Sequence, residues 1–140
     1  MKRTIVVALI LSFGLAIGAI GNQLGNTGQP SIKRKEVLRV DLAGAEGAEA
    51  HMWVAEIEPG AKTEKHIHPT PRFVYVMEGS VIVEIDGKPP QTYKSGDGFQ
   101  SMPDVVHVFR NASSTHPAKA LGFQIAQVGQ PLLLPAAPKL

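Results

Sequence analysis

His66-Ile67-His68 and His107 are the residues of this chain best suited to do chemistry. Histidines at i and i+2 on an extended strand point to the same side, and a third from a distant strand can close that face. Three neutral imidazoles converging on one point offer nitrogen donors to a divalent transition metal and leave coordination positions open for a small molecule. The donor set does not choose the ion. Iron, manganese, nickel, copper and zinc all accept imidazole.

The elements that must position these side chains show a period of two, and long helical patterns are missing. Val37–Leu42 and Met52–Ile57 alternate as strands, separated by a Gly/Ala/Glu loop over Ala43–Ala50. Phe73–Met77 and Val81–Ile85 are rich in β-branched and aromatic residues, with Glu78-Gly79-Ser80 as a tight connection. Asp86-Gly87 is a strong hairpin signal. Thr92–Lys94, Gly98–Met102, Val105–Arg110 and Ala118–Val128 complete a set of short strands that predicts an all-β sandwich or barrel over residues 37–128. Residues 22–36 read as a flexible leader, with Lys33-Arg34-Lys35 as its solvated basic end. Residues 129–140, rich in Pro and Leu, read as an extended tail over the surface.

The first 21 residues stand apart. Met1-Lys2-Arg3 is a basic start, and Thr4–Ile20 runs 17 residues without a charge and ends among small residues. This is the pattern of a cleaved export signal, and its alternative is an uncleaved N-terminal membrane anchor over residues 4–20. The expected location is periplasmic or secreted. The chain has no Cys, so a disulfide and a cysteine-linked lipid are both excluded. Of its 14 basic residues, Lys2 and Arg3 belong to the signal, so the remainder balances the 12 acidic ones. A near-neutral domain argues against nucleic acid as the partner.

Taken with its glycines, the histidine set becomes specific. Gly60 is followed by five residues, His66-x-His68, three residues, Arg72, six residues and Gly79. Gly96 precedes His107 by eleven positions, and Asn111 follows four later. These spacings resemble the two motifs of the cupin superfamily, and seven of their ten fixed positions are kept. The resemblance implies a double-stranded β-helix, or jelly-roll, barrel and carries the metal-ligand role to His66, His68 and His107. Three positions depart. Met102 and Asp104 replace a Pro and a Gly in the turn before His107, where Asp tolerates left-handed backbone. Arg72 replaces a metal-ligating Glu, and a guanidinium has no lone pair to give.

Arg72 therefore either adds positive charge beside the metal and favours an anionic ligand, or turns aside to a carboxylate such as Glu64 or Glu78. Tyr75 and Phe99 are the aromatics expected at the barrel mouth as substrate-binding residues. Gln100 and Gln124 either support the site or face outward, and His51 and His116 read as surface residues. The expected function is an exported small cupin that binds a divalent metal and a small anionic molecule. It would act either as a dioxygenase-like oxidoreductase, with iron the leading ion, or as a non-catalytic small-molecule binding or sensing module, with or without the metal. A homodimer is expected from the resemblance alone.

Overall fold

The computed structural model describes residues 28–137. The export segment, the leader up to residue 27 and residues 138–140 lie outside these described residues. Among the described residues there are ten strands and no helix: β1 Ile32–Asp41, β2 Ala48–Ile57, β3 His66–Ile67, β4 Arg72–Glu78, β5 Ser80–Ile85, β6 Gln91–Lys94, β7 Gly98–Ser101, β8 His107–Asn111, β9 Ala118–Gln127 and β10 Leu134–Pro135. They form two five-stranded sheets, ordered β1-β2-β9-β4-β7 and β10-β3-β8-β5-β6. Every pairing is antiparallel. The sheets make the all-β jelly-roll barrel that the motif spacing implies.

The period of two becomes a strict inside and outside. On β9, Ala118, Ala120, Gly122, Gln124 and Ala126 are buried, while the residues between them face outward. On β4, Arg72, Val74 and Val76 turn inward, and Phe73, Tyr75 and Met77 turn outward. The core is built from Trp53, Ile57, Val76 and Val81, with Ala55, Ala61, Ala118 and Ala120 between them. So many small residues on the inner face of β2 and β9 leave room inside the barrel.

Two boundaries move. β1 begins at Ile32, so residues 32–36, read as leader, belong to the first sheet, and Arg34 lies opposite Ala55 in the β1–β2 ladder. Its charged sequence hides the strand, because hydrogen bonding to β2 rather than apolar burial holds this edge. Ala48–Ala50, read as loop, extend β2. The tail is also tied down. Leu134 and Pro135 pair with Ile67 and His66, and Ala136 N–H donates to the Lys65 carbonyl at 3.0 Å.

Two backbone positions explain the motif residues around the site. Gly79 links β4 to β5 at φ 72°, and a Cβ there would lie 2.8 Å from the Pro117 carbonyl oxygen. Asp104 takes φ 58°, so the turn before His107 keeps its left-handed residue without glycine. Asn111 braces the other end of β8. Its Nδ2 is within hydrogen-bond reach of the Ile57, Glu58 and His116 carbonyls, and its Oδ1 accepts from Ser113 N–H.

Gly122 carries a separate constraint. A Cβ at this position would stand 2.3 Å from Trp53 Cε2 and Cζ2. The indole lies flat over β9 only because residue 122 has no side chain. Gly122→Ala is expected to cost about 1–3 kcal/mol of stability by overpacking. A lower Tm together with a shifted fluorescence of Trp53, the single Trp of the chain, would show it.

Candidate metal centre

His66 on β3 lies opposite His107 on β8, and His68 follows β3 directly. The three rings meet inside the barrel with centroid separations of 4.3, 4.9 and 5.0 Å. One ligand nitrogen from each lies within 4.8 Å of the others, and all three residues are buried. The sequence expectation that these residues share one face is met.

Backbone carbonyls fix the chemistry of each ring. His66 Nδ1 lies 2.8 Å from Glu64 O, His107 Nδ1 2.8 Å from Val105 O, and His68 Nδ1 3.0 Å from Leu132 O. A carbonyl can only accept, so each Nδ1 carries the proton and donates it. That leaves the Nε2 lone pair of each neutral imidazole for a metal, the arrangement by which outer hydrogen bonds orient ligating histidines. Burial keeps the rings neutral. Desolvation pulls His66 down to about 4 and His68 to about 3, with the Arg72 charge adding to both, and lowers His107 as well. Three neutral, pre-oriented nitrogen donors in a desolvated pocket fit a divalent transition metal.

Arg72 faces this site. Its Nε donates to Gln124 Oε1 at 3.0 Å, its Nη2 donates to Leu132 O at 2.9 Å, and its guanidinium carbon sits 4.5 Å from the centroid of the Trp53 ring. Neither carboxylate considered from sequence is its partner. Glu78 is 3.6 Å from Lys119, and Glu64 supplies only its carbonyl, to His66. Burial pushes Arg72 down to about 9, which leaves it a cation at neutral pH. Gln124 is fully buried and passes the contact on, donating from Nε2 to Thr70 Oγ1 at 2.8 Å.

A small cavity of ≈ 30 Å³ opens in front of the histidines. Its walls include Trp53, Phe99, Phe109 and Ser101, with Arg72 and Arg34 as the charged groups. Phe99 thus lines the cavity as expected, stacked on Tyr93 with centroids 4.3 Å apart. Tyr75 does not. It stands 50% exposed on the outer face of β4, because its parity is that of Phe73 rather than of Arg72. Gln100 is likewise exposed, and His116 is a surface residue. His51 is not; it is buried, with its ring nitrogens 3.4 Å from Glu36 and from Glu49 carboxylate oxygens.

Two contributors leave little mark in the sequence. Arg34 lies in a basic cluster that reads as linker. Leu132 acts through its carbonyl, which has no side-chain signature. Parity along β1 is the signal that could have found the first; nothing in the residue types reveals the second.

A ten-strand barrel with three inward histidines defines a class of small jelly-roll proteins. The sequence model of the cupin domain matches residues 53–123, half of the chain, and the chain belongs to the cupin family. It is similar to Protein SchB of Streptomyces halstedii, 36% identical over 78 residues covering 55% of this chain and 54% of that one. It is also similar to a Streptomyces cyaneus protein named polyketide synthase CurC, 33% identical over 88 residues covering 59% and 55%. The chain spans about half the length of these curated relatives. Among solved structures, a cupin-like protein of Thermotoga maritima superposes with a TM-score of 0.56 at 24% identity, covering 69% of this chain and 74% of that one. The lyase DddQ of Ruegeria pomeroyi, named for DMSP, gives 0.59 at 17%, covering 74% and 51%. A recombinant oxalate oxidase in complex with glycolate gives 0.53 at 20%, covering 74% and 58%. At these identities the structural likeness shows the fold.

The depressed histidines set a pH dependence for the metal-free protein. Their folded values lie below the ordinary 6.5, so between 6.5 and about 3 the unfolded chain binds more protons than the folded one. Stability is therefore lost as pH falls through that window. Thermal melts from pH 7 to pH 4 are expected to show a falling Tm. The fall should be shallower in His66→Gln and His68→Gln than in the unaltered chain.

Proposed function

We propose that this is an exported cupin that binds one divalent transition metal through His66, His68 and His107 and a small anionic molecule beside it. The observation that carries the reading is the set of three Nδ1–H to carbonyl bonds, which present three neutral Nε2 lone pairs in one pocket. When bound there, the metal would supply Lewis acidity and, if it is iron, electrons for chemistry with O₂. The chain's own residues do the rest. Arg72, held by Gln124, Leu132 and Trp53, offsets negative charge on the ligand. Phe99, Phe109 and Trp53 wall off water. One relative is named a polyketide synthase. The aromatic wall and guanidinium here suit an enolate or phenolate as well as a carboxylate. The catalytic form of the reading is dioxygenase-like oxidation; its alternative is binding without turnover. Export to the periplasm or medium is supported by the charge and hydropathy pattern of residues 1–21.

Elemental analysis of protein purified without chelator or His tag tests the metal. About one equivalent of iron or another transition metal per chain is expected, and His66→Ala or His107→Ala should lose it. A chain that takes up none of iron, nickel, copper or zinc would overturn the metal reading. Oxygen consumption by the iron-loaded protein with small anions then separates turnover from binding alone.

A homodimer through the outer face of the first sheet belongs to the same reading. Leu38, Val40, Phe73, Tyr75, Met77 and Ile125 are each 38–50% exposed there. Carried by β1, β9 and β4 across the four-strand width β1-β2-β9-β4, they define an apolar patch on the order of 400 Å² in flat projection. A stable dimer buries roughly 800 Å² per partner around such an apolar centre. A row of alternating charge, Lys33, Glu56, Lys119 and Glu78, crosses the same four strands at one end and supplies a polar rim. Light scattering should give twice the chain mass. Phe73→Glu with Tyr75→Lys should give the monomer with the metal retained, whereas a monomeric unaltered chain would end the idea.

A further inference from the structure

The cavity holds a second cation that the metal-centred reading leaves without a task. Arg34 lies on the inner side of β1, opposite Ala55, and lines the same cavity as Arg72 and the three histidines. It also lines the two shallower grooves that open beside it, so it stands at the mouth, with Arg72 deeper in.

Three other charged residues of β1 have partners. Lys33 is 3.2 Å from Glu58, Glu36 meets His51, and Arg39 makes a two-pronged contact with Glu49 at 3.1 and 2.9 Å. Among the described residues Arg34 makes no hydrogen bond and no ion pair; Glu64, Glu36 and Glu49 line the outer grooves it borders, but no Asp or Glu lines the cavity it shares with Arg72. Burial lowers the Arg34 pKa, and after burial the charge of Arg34 is the next influence lowering Arg72. Two like charges that line one cavity, Arg72 buried and Arg34 exposed at its mouth, repel across it unless something of opposite charge joins them. Neutral histidines cannot do so, and a bound metal would add to the imbalance.

We propose that the site takes a small dianion carrying two carboxylate-type groups, the inner one held at Arg72 beside the histidines and the outer one at Arg34. This rests on the anion-binding reading of Arg72 for its inner half and adds the outer half. A guanidinium presents a planar fork of donors that matches a carboxylate, so each arginine suits one end of the ligand. The narrow interior admits a chain of few atoms between the two groups. Arg34 is then the residue that sets specificity, separating dianions from monoanions of similar length.

The test is calorimetric titration of the full chain with malonate and succinate against acetate and propionate. It is run once on protein loaded with zinc or nickel and once on metal-free protein. A charge-assisted contact of this kind predicts that the dicarboxylates bind at least about tenfold tighter than the monocarboxylates. Arg34→Gln should remove most of that ratio, leave propionate affinity within about twofold, and lower neither metal content nor Tm, since it relieves a like-charge repulsion. Arg34→Lys should restore part of the preference. No dicarboxylate preference in the unaltered chain, or a preference that survives Arg34→Gln, overturns the proposal. If the chain takes no metal yet keeps an Arg34-dependent preference, the dianion site stands and the metal centre fails. If the chain takes metal but shows no preference, the metal centre stands and the dianion site fails.

Discussion

The constraint on which the rest of this structure depends is the burial of three imidazoles and a guanidinium around one cavity whose lining holds no carboxylate. Burying polar groups is costly unless each finds a partner. Here the partners are neutral acceptors: the carbonyls of Glu64, Val105 and Leu132 and the side-chain oxygen of Gln124. No buried side-chain nitrogen or oxygen among the described residues lacks a hydrogen-bond partner. The solution satisfies every N–H that points away from the cavity and leaves the site's charge uncompensated toward it. What the protein leaves unsatisfied therefore faces the cavity.

One oxygen holds two parts of that solution together. Leu132 O accepts both from His68 Nδ1 and from Arg72 Nη2. The carbonyl that sets the tautomer of a ligating histidine also aims the guanidinium. The strand pairing of Leu134 and Pro135 with β3 holds this segment in place, so the C-terminal tail sets the site's geometry through the Leu132 carbonyl without lining its cavity. On the opposite side, Gly122 lets Trp53 lie flat, and Trp53 gives Arg72 a face to rest on. The small residues of β2 and β9 thus do more than make space; they determine which plane the guanidinium occupies.

How much of this was legible in the sequence follows from which physical signal each part leaves. The period of two marks strands whose apolar residues turn inward, so β2, β4, β5, β8 and β9 were visible to within a few residues. β1 was partly missed because its inward residues, Arg34, Glu36 and Arg39, are charged and leave no apolar alternation. The histidines were legible because their spacing places them on paired strands. Phe99 was placed correctly, whereas Tyr75 was not, since parity along β4 puts it with Phe73 once Arg72 faces inward. His51 looked like a surface residue because the carboxylates that receive it come from β1 and from its own strand, a meeting that only the register decides. Backbone carbonyls such as Leu132 O leave no trace in residue types at all.

The exchange of Glu for Arg at position 72 has a consequence beyond the loss of a ligand. A carboxylate there would give a metal one compensating negative charge, while Arg72 brings a positive one, so the site is two charge units more positive than the family's motif implies. The guanidinium does not leave the cavity to escape this. It is tied to Gln124 and Leu132 and lies on Trp53, close enough for its charge to depress His66, His68 and His107. Every acceptor that Arg72 meets is neutral, so the protein leaves its charge uncompensated beside the three histidines. An anion entering such a cavity would gain electrostatic energy that a cation would lose. The proposed anionic ligand follows from that field rather than from the three histidines, which the family's motif already supplies.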